Sequence, residues 1–173
     1  MSKYRHCACD TPGGTLSVVF DPDAAVVVAA GYFGVEPLLE QLGDGVAAEV
    51  AVAPKWLADP MAAYNAGDIA AIDRVPVRQP GTPFRQAVWR TLREHRAPLT
   101  YGELAAQTVA GMGGSAGAPA QRLARAVGSA MSHNLVAFFV PCHRVVPAGG
   151  GVGAYGFGPP VKEALLAFEA AHL

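Results

Sequence analysis

Short apolar or β-branched runs dominate residues 3–33: 4–9, 16–20 and 26–32. Between them lie Pro12-Gly13-Gly14 and Asp21-Pro22-Asp23, the residue types that turns demand. The pattern predicts three strands in a small antiparallel meander. Then the period changes. Leucines at 38, 39 and 42 predict a short helix over 37–42, and residues 54–66 predict a second, stopped by Gly67. Residues 74–81 hold two prolines and read as a linker.

The remainder patterns mostly as helix. Thr82 is a good N-cap and Pro83 suits a first helical position, with Phe84, Val88 and Leu92 following at intervals of four beside Trp89. That helix is expected to end near His95. Thr100-Tyr101-Gly102-Glu103 is a capping box for a helix reaching about Val109. A glycine-rich loop, Gly111 to Gly117, leads to a helix expected from Pro119 to His133-Asn134. Two helices joined by a turn have the layout of a helix-turn-helix. The second is rich in small residues and carries Arg122 and Arg125, which suits close approach to a groove and equally suits close helix packing. Residues 135–140 predict a short buried strand. Pro159-Pro160 opens a last helix with Val161, Leu165 and Phe168 as its apolar stripe and Glu169 beside it.

Composition bounds the class. The chain has 173 residues, 51% hydrophobic and 16% charged, enough for one domain or for a small and a larger one. No apolar run is long enough to span a membrane, and the N-terminus lacks the apolar core of a signal peptide. Three cysteines, an odd number, argue against a disulfide framework and for a reducing compartment, so the expected location is cytoplasmic. The net charge of −1 hides an asymmetry. Residues 1–77 hold four basic against ten acidic side chains (net −6), and residues 78–173 hold nine against four (net +5). A basic half is a candidate nucleic-acid surface, although ordinary solvated faces explain the split as readily.

The candidate chemistry centres on Pro141-Cys142-His143-Arg144-Val145-Val146. A cysteine nucleophile needs a base or an electropositive setting to become thiolate. His143 is adjacent, but neighbours on extended backbone point to opposite sides, so contact requires a water or a local turn. Glu169 would orient the imidazole in a nucleophile–base–orienter relay. Taken singly, an inert core cysteine and a solvated glutamate are the more ordinary explanations. Cys7 and Cys9 fall on one strand face with a spacing unusual for zinc, and read as core. Gly151-Val152-Gly153-Ala154-Tyr155-Gly156 matches a dinucleotide fingerprint only formally, because no strand leads directly into a helix there.

The hexapeptide at 141–146 closely resembles the O6-alkylguanine-DNA alkyltransferases, the methylated-DNA–protein-cysteine methyltransferases. Residues 81–89, 100–105, 124–128, 152–156 and 162–169 resemble further motifs of that family, in order, across about residues 75–172. The resemblance implies an α/β fold. A small N-terminal antiparallel sheet domain with helices, ribonuclease H-like, would occupy residues 1–77. A mostly helical, winged helix-turn-helix-like domain for DNA binding and alkyl transfer would occupy 78–173. It implies direct-reversal repair: a stoichiometric, irreversible transfer of the alkyl group from O6-alkylguanine in duplex DNA to Cys142 after base flipping. O4-alkylthymine is a further candidate lesion.

By resemblance, Glu169, His143 and a water draw the proton from Cys142. Tyr101 turns the nucleotide and protonates the leaving base, and Arg125 fills the vacated stack. Asn134 braces the turn that carries the cysteine. Carbonyls near Cys142 and Val145 read the exocyclic amine, and Tyr155 and Gly156 line the pocket. Arg122, Arg125, Ala126, Gly128, Ser129 and Tyr101 face DNA. No cofactor or metal is expected, and the working unit is expected to be a monomer bound to double-stranded DNA. The glycine-rich loop at 111–117 is longer than the family's, the segment between Trp89 and Tyr101 is shorter, and Leu135 stands where a proline is typical. A lesion sensor that does not repair, or a cysteine hydrolase, would be the other uses of this set.

Overall fold

The computed structural model describes residues 2–114 and 120–173. Strands β1 (Tyr4–Thr11), β2 (Gly14–Asp21) and β3 (Val26–Gly31) form the expected meander. A two-residue turn at Pro12-Gly13 joins β1 and β2, and the Thr11 hydroxyl donates to Gly14 O across it at 2.8 Å. A Cβ on Gly13 would lie 2.9 Å from Val161 Cγ1, so this turn presses directly on the last helix. A fourth strand, β4 (Ala48–Val50), pairs in parallel with β1, giving the order β3-β2-β1-β4. No alternation announced β4, because its residues are at most half-buried.

Between β3 and β4 lies helix α1 (Val35–Leu42). Its Leu38 packs against Val19, Val28 and Ala29 on one face of the sheet. The other face carries Cys7, Cys9, Leu16, Val18, Phe20 and Val27 into the main core. The two cysteines therefore behave as small core residues. Helix α2 (Lys55–Asn65) contributes Leu57, Met61 and Tyr64 to the same core, and a 3-10 turn follows at Ile69–Arg74.

Residues 76–78 do more than link. Val27 N donates to Pro76 O and Arg78 N to Val27 O, both at 2.9 Å, so the segment lies along the free edge of β3. Further along that edge Ala30 N donates to Leu135 O at 2.9 Å. The buried strand expected over 135–140 is not regular. It makes only isolated bridges, and Phe138 turns the chain at a φ of 75°. The side chain of Asn134 binds the backbone at both ends of this segment, favouring a turn over an extended ladder.

Helices α3 (Pro83–Arg93), α4 (Tyr101–Gly111) and α5 (Ala120–Ser132) pack on one another. Thr82 caps α3 as expected, accepting from Arg85 N at 3.2 Å. At α4 the Thr100 hydroxyl accepts from Glu103 N and donates to the Glu103 carboxylate, both at 3.1 Å. Trp89 Nε1 donates to Ala130 O at 2.9 Å and fixes α3 to α5. The expected helix start at Pro119 and the last three residues of the loop ending at Gly117 lie outside the described residues. Strand β5 (Leu99–Thr100) pairs with β6 (Val145–Val146), and α6 (Pro159–Ala170) closes the chain. Among the described residues no helix is long and apolar enough to cross a membrane.

Candidate active site

The segment leading to Cys142 owes its geometry to Asn134. Its Oδ1 accepts from Gln79 Nε2 (2.9 Å) and Val136 N (3.1 Å), and its Nδ2 donates to Val140 O (3.0 Å). Gln79 Oε1 in turn accepts from Leu135 N at 2.8 Å. The turn at 134–140 is thus clamped by two amides whose hydrogen-bonding groups are all directed at it or at each other. Pro141 then hands the chain into a single 3-10 turn, Cys142–Arg144, with Arg144 N donating to Pro141 O at 2.9 Å.

Three residues per turn splay successive side chains by about a third of a circle. This local turn sends Cys142 toward a cavity and His143 and Arg144 into the core. Cys142 is half-buried, while His143 and Arg144 are wholly buried. Glu169 meets them from α6. Its Oε1 accepts from Tyr64 Oη (2.8 Å) and Arg144 Nη2 (3.0 Å) and lies 2.8 Å from His143 Nε2; its Oε2 accepts from Arg144 Nε (2.9 Å). Glu169 is only 2% exposed, so the solvated helix edge is excluded. Burial by itself would raise this carboxyl. The donors from His143 and then Arg144 outweigh it and hold the group at about 2. Burial pushes His143 down, leaving it neutral, with Nε2–H on Glu169 and a lone pair on Nδ1. That Nδ1 is buried and has no hydrogen-bond partner among the described residues.

The buried face of α6 is rotated from the expected stripe. Lys162, Leu165 and Glu169, spaced i, i+3, i+7, are the buried residues, with Val161 and Phe168 flanking. Lys162 is 1% exposed and donates to Val145 O at 2.7 Å. Burial raises the Cys142 thiol. Hydrogen bonds from Tyr155 and Asn134 and the charge of Lys162 oppose that rise. The Tyr155 hydroxyl lies 3.8 Å from Sγ. Burial outweighs these opposing effects, so the thiol stays raised above its ordinary value and needs a partner to take its proton.

Cys142 lines a cavity of about 590 Å³. Tyr101 from α4, Gly128 from α5, and Tyr155 and Gly156 from the glycine-rich segment line it too. No atom of the described residues lies within 4 Å of a Cβ built on Gly128 or Gly156, so both glycines leave the cavity open there. Val145 does not line it, because its side chain is buried in the core. On α5, Arg122 and Arg125 are exposed and Ala126 is half-buried. Arg125 lies one turn before Gly128 on α5 but does not itself line the cavity. Ser129 Oγ accepts from Arg85 Nη2 at 3.0 Å.

Sequence reasoning assigned no role to Arg144, Lys162 or Tyr64. The signal for Lys162 and Glu169 was a pair of charges sharing a helix face with Leu165. Tyr64 gave none, lying 105 residues from Glu169. Among the described residues no three His, Cys, Asp or Glu gather as a metal site.

A family model described as "6-O-methylguanine DNA methyltransferase, DNA binding domain" matches residues 83–171. A methylated-DNA–protein-cysteine methyltransferase of Shigella flexneri is 40% identical over 118 residues, covering 67% of this chain and 63% of that relative. The chain thus spans less than two thirds of that relative's length. A crystal structure of Mycobacterium tuberculosis O6-methylguanine methyltransferase superposes with a TM-score of 0.72 at 30% identity, covering 98% of this chain and 94% of that one. M. tuberculosis OGT in complex with DNA gives 0.68 at 32% identity, covering 98% and 93%.

Proposed function

Because this chain belongs to the 6-O-methylguanine DNA methyltransferase family, we propose that it repairs DNA by moving the alkyl group of O6-alkylguanine onto Cys142, once per molecule. The observation that carries this reading is the placement of Cys142. Its thiol lines a cavity walled by α5, with a buried cation near it and the Glu169–His143 pair behind.

A water between Cys142 and His143 Nδ1 takes the thiol proton on toward the imidazole, and Glu169 holds the ring that accepts it. Nδ1 supports this role because it is buried and meets no partner among the described residues. The thiolate forms the S–C bond as the C–O6 bond breaks. The electron pair leaves with guanine, and the Tyr101 hydroxyl supplies its proton at N3. Tyr155 and Gly156 flank the base, carbonyls of Cys142 and Val145 meet its exocyclic amine, and Asn134 braces the turn. The thioether formed on Cys142 is the end point of this reading, so each molecule is consumed by one transfer.

For DNA, Arg125 enters the stack vacated by the flipped base, and Arg122, Ala126, Gly128, Ser129 and Tyr101 complete the contact face. We read α4 and α5 as the helix-turn-helix of a winged domain over 78–173. Residues 1–77 are then a ribonuclease H-like support domain. A monomer is taken as the working unit. A free thiol nucleophile suits a reducing compartment such as the cytoplasm.

The test is intact-protein mass after mixing with duplex DNA holding one O6-methylguanine, followed by peptide mapping. One methyl gained per chain, on the Cys142 peptide, is the expected result. Lesion binding without mass gain overturns it.

A further inference from the structure

Tyr155 and Gly156 reach the cavity from a segment with no regular structure. Six of residues 147–158 are glycines, four of them at positive φ. The backbone hydrogen bonds within the segment are local: Gly150 N to Pro147 O at 3.3 Å and Gly158 N to Tyr155 O at 3.0 Å. Glycine-rich chain has the most conformational freedom to lose, so side-chain packing must hold it in place.

That packing comes from Phe157. Its ring meets Phe33 (5.1 Å between centroids, 63°), Tyr32 (5.5 Å, 69°) and Tyr155 (5.7 Å, 66°), all edge to face. Beneath it is Gly31, the last residue of β3. A Cβ there would lie 2.8 Å from Phe157 Cζ and 3.0 Å from Cε1. Gly31 is not among the glycines at positive φ. Its backbone would accept any residue, and the ring is what requires the missing side chain. Tyr32 is itself anchored, its hydroxyl 2.9 Å from Thr11 Oγ1 at the β1–β2 turn.

We infer that Phe157 is a positioning residue for alkyl transfer. Seated on Gly31 between Tyr32 and Phe33, it holds the Tyr155 hydroxyl and Gly156 beside Cys142. The N-terminal sheet, whose Ala30 lines the same cavity as Cys142, thereby acts on the reaction through the seat of this ring. This inference rests on the alkyl-transfer reading. Removing the ring frees the segment, takes the Tyr155 hydroxyl away from the thiol and opens one wall of the cavity.

The test uses the full chain with Phe157→Ala, Phe157→Leu and Gly31→Val. Three quantities are read: the rate of methyl transfer from duplex O6-methylguanine, the pH profile of Cys142 carbamidomethylation by iodoacetamide, and the melting temperature. Phe157→Ala is expected to slow transfer about tenfold or more and to move the thiol profile to higher pH. Phe157→Leu should restore part of both, and Gly31→Val should reproduce the loss by unseating the ring. Transfer within about twofold of the parent with an unmoved profile overturns the inference. So does slower transfer with an unmoved profile and a lower melting temperature, which is a purely structural effect. If the parent protein accepts no methyl group, the alkyl-transfer reading fails instead, while the iodoacetamide profiles still test the seat.

Discussion

Replacing Glu169 with glutamine isolates the charge of the buried carboxylate while keeping its shape. The folded protein holds this group at about 2, against an ordinary value of 4.5. The difference, at roughly 1.4 kcal/mol per pH unit, makes the ionised carboxylate worth ~3 kcal/mol of stability. At 2% exposure, little solvent screening reduces that figure. The sign follows from the depressed value. The contribution is present in full above about pH 5 and is lost as pH falls from 4.5 toward 2. Glutamine also leaves the wholly buried Arg144 guanidinium without a counter-charge, a situation that typically costs about 3–5 kcal/mol. Urea unfolding at pH 7 should therefore find Glu169→Gln less stable by ~3 kcal/mol. At pH 3 most of the parent's advantage has been titrated away, and the deficit should shrink to about 1 kcal/mol. A deficit that stays constant between the two pH values, or is under about 1 kcal/mol at pH 7, would refute the assignment of a low carboxyl value to this cluster.

Cys142→Ala should abolish methyl transfer while lesion-containing duplex still binds in a gel-shift assay; any residual transfer would point to another nucleophile. Arg125→Ala should slow repair in duplex DNA more than reaction with the free alkylated base, and equal losses would reject an intercalating role. Lys162→Met removes the buried cation near the thiol while keeping the stem. The carbamidomethylation profile of Cys142 should move to higher pH and transfer at neutral pH should slow, whereas an unmoved profile would remove Lys162 from thiol activation. Duplex binding by the parent should weaken steadily with added salt if the arginines of α5 meet phosphates.

Most regular elements of this protein are written locally. The three strands of the meander and the helices at 35–42, 55–65, 83–93, 101–111 and 159–170 follow from turn residues, caps and apolar spacing within each segment. The hexapeptide around Cys142 and its family resemblance likewise singled out Cys142, His143 and Glu169 as candidates before any contact was known. What local pattern did not hold was the pairing of β4, whose residues are too exposed to alternate, and the course of 135–140. There an apolar run reads as strand, yet the amides of Asn134 and Gln79 fold it into a turn.

The same limit governs the charges behind the thiol. A lysine, an arginine and a glutamate on paper are solvated residues, because burying any of them alone is prohibitively costly. Only the fold brings Tyr64, Arg144 and His143 onto Glu169 and the Val145 carbonyl onto Lys162, from positions as far as 105 residues apart. The sequence by itself determined which residue types were available for chemistry and where along the chain they stand. Tertiary structure decided which of them are buried and paired, because a buried charge is stabilised by partners that no local pattern contains.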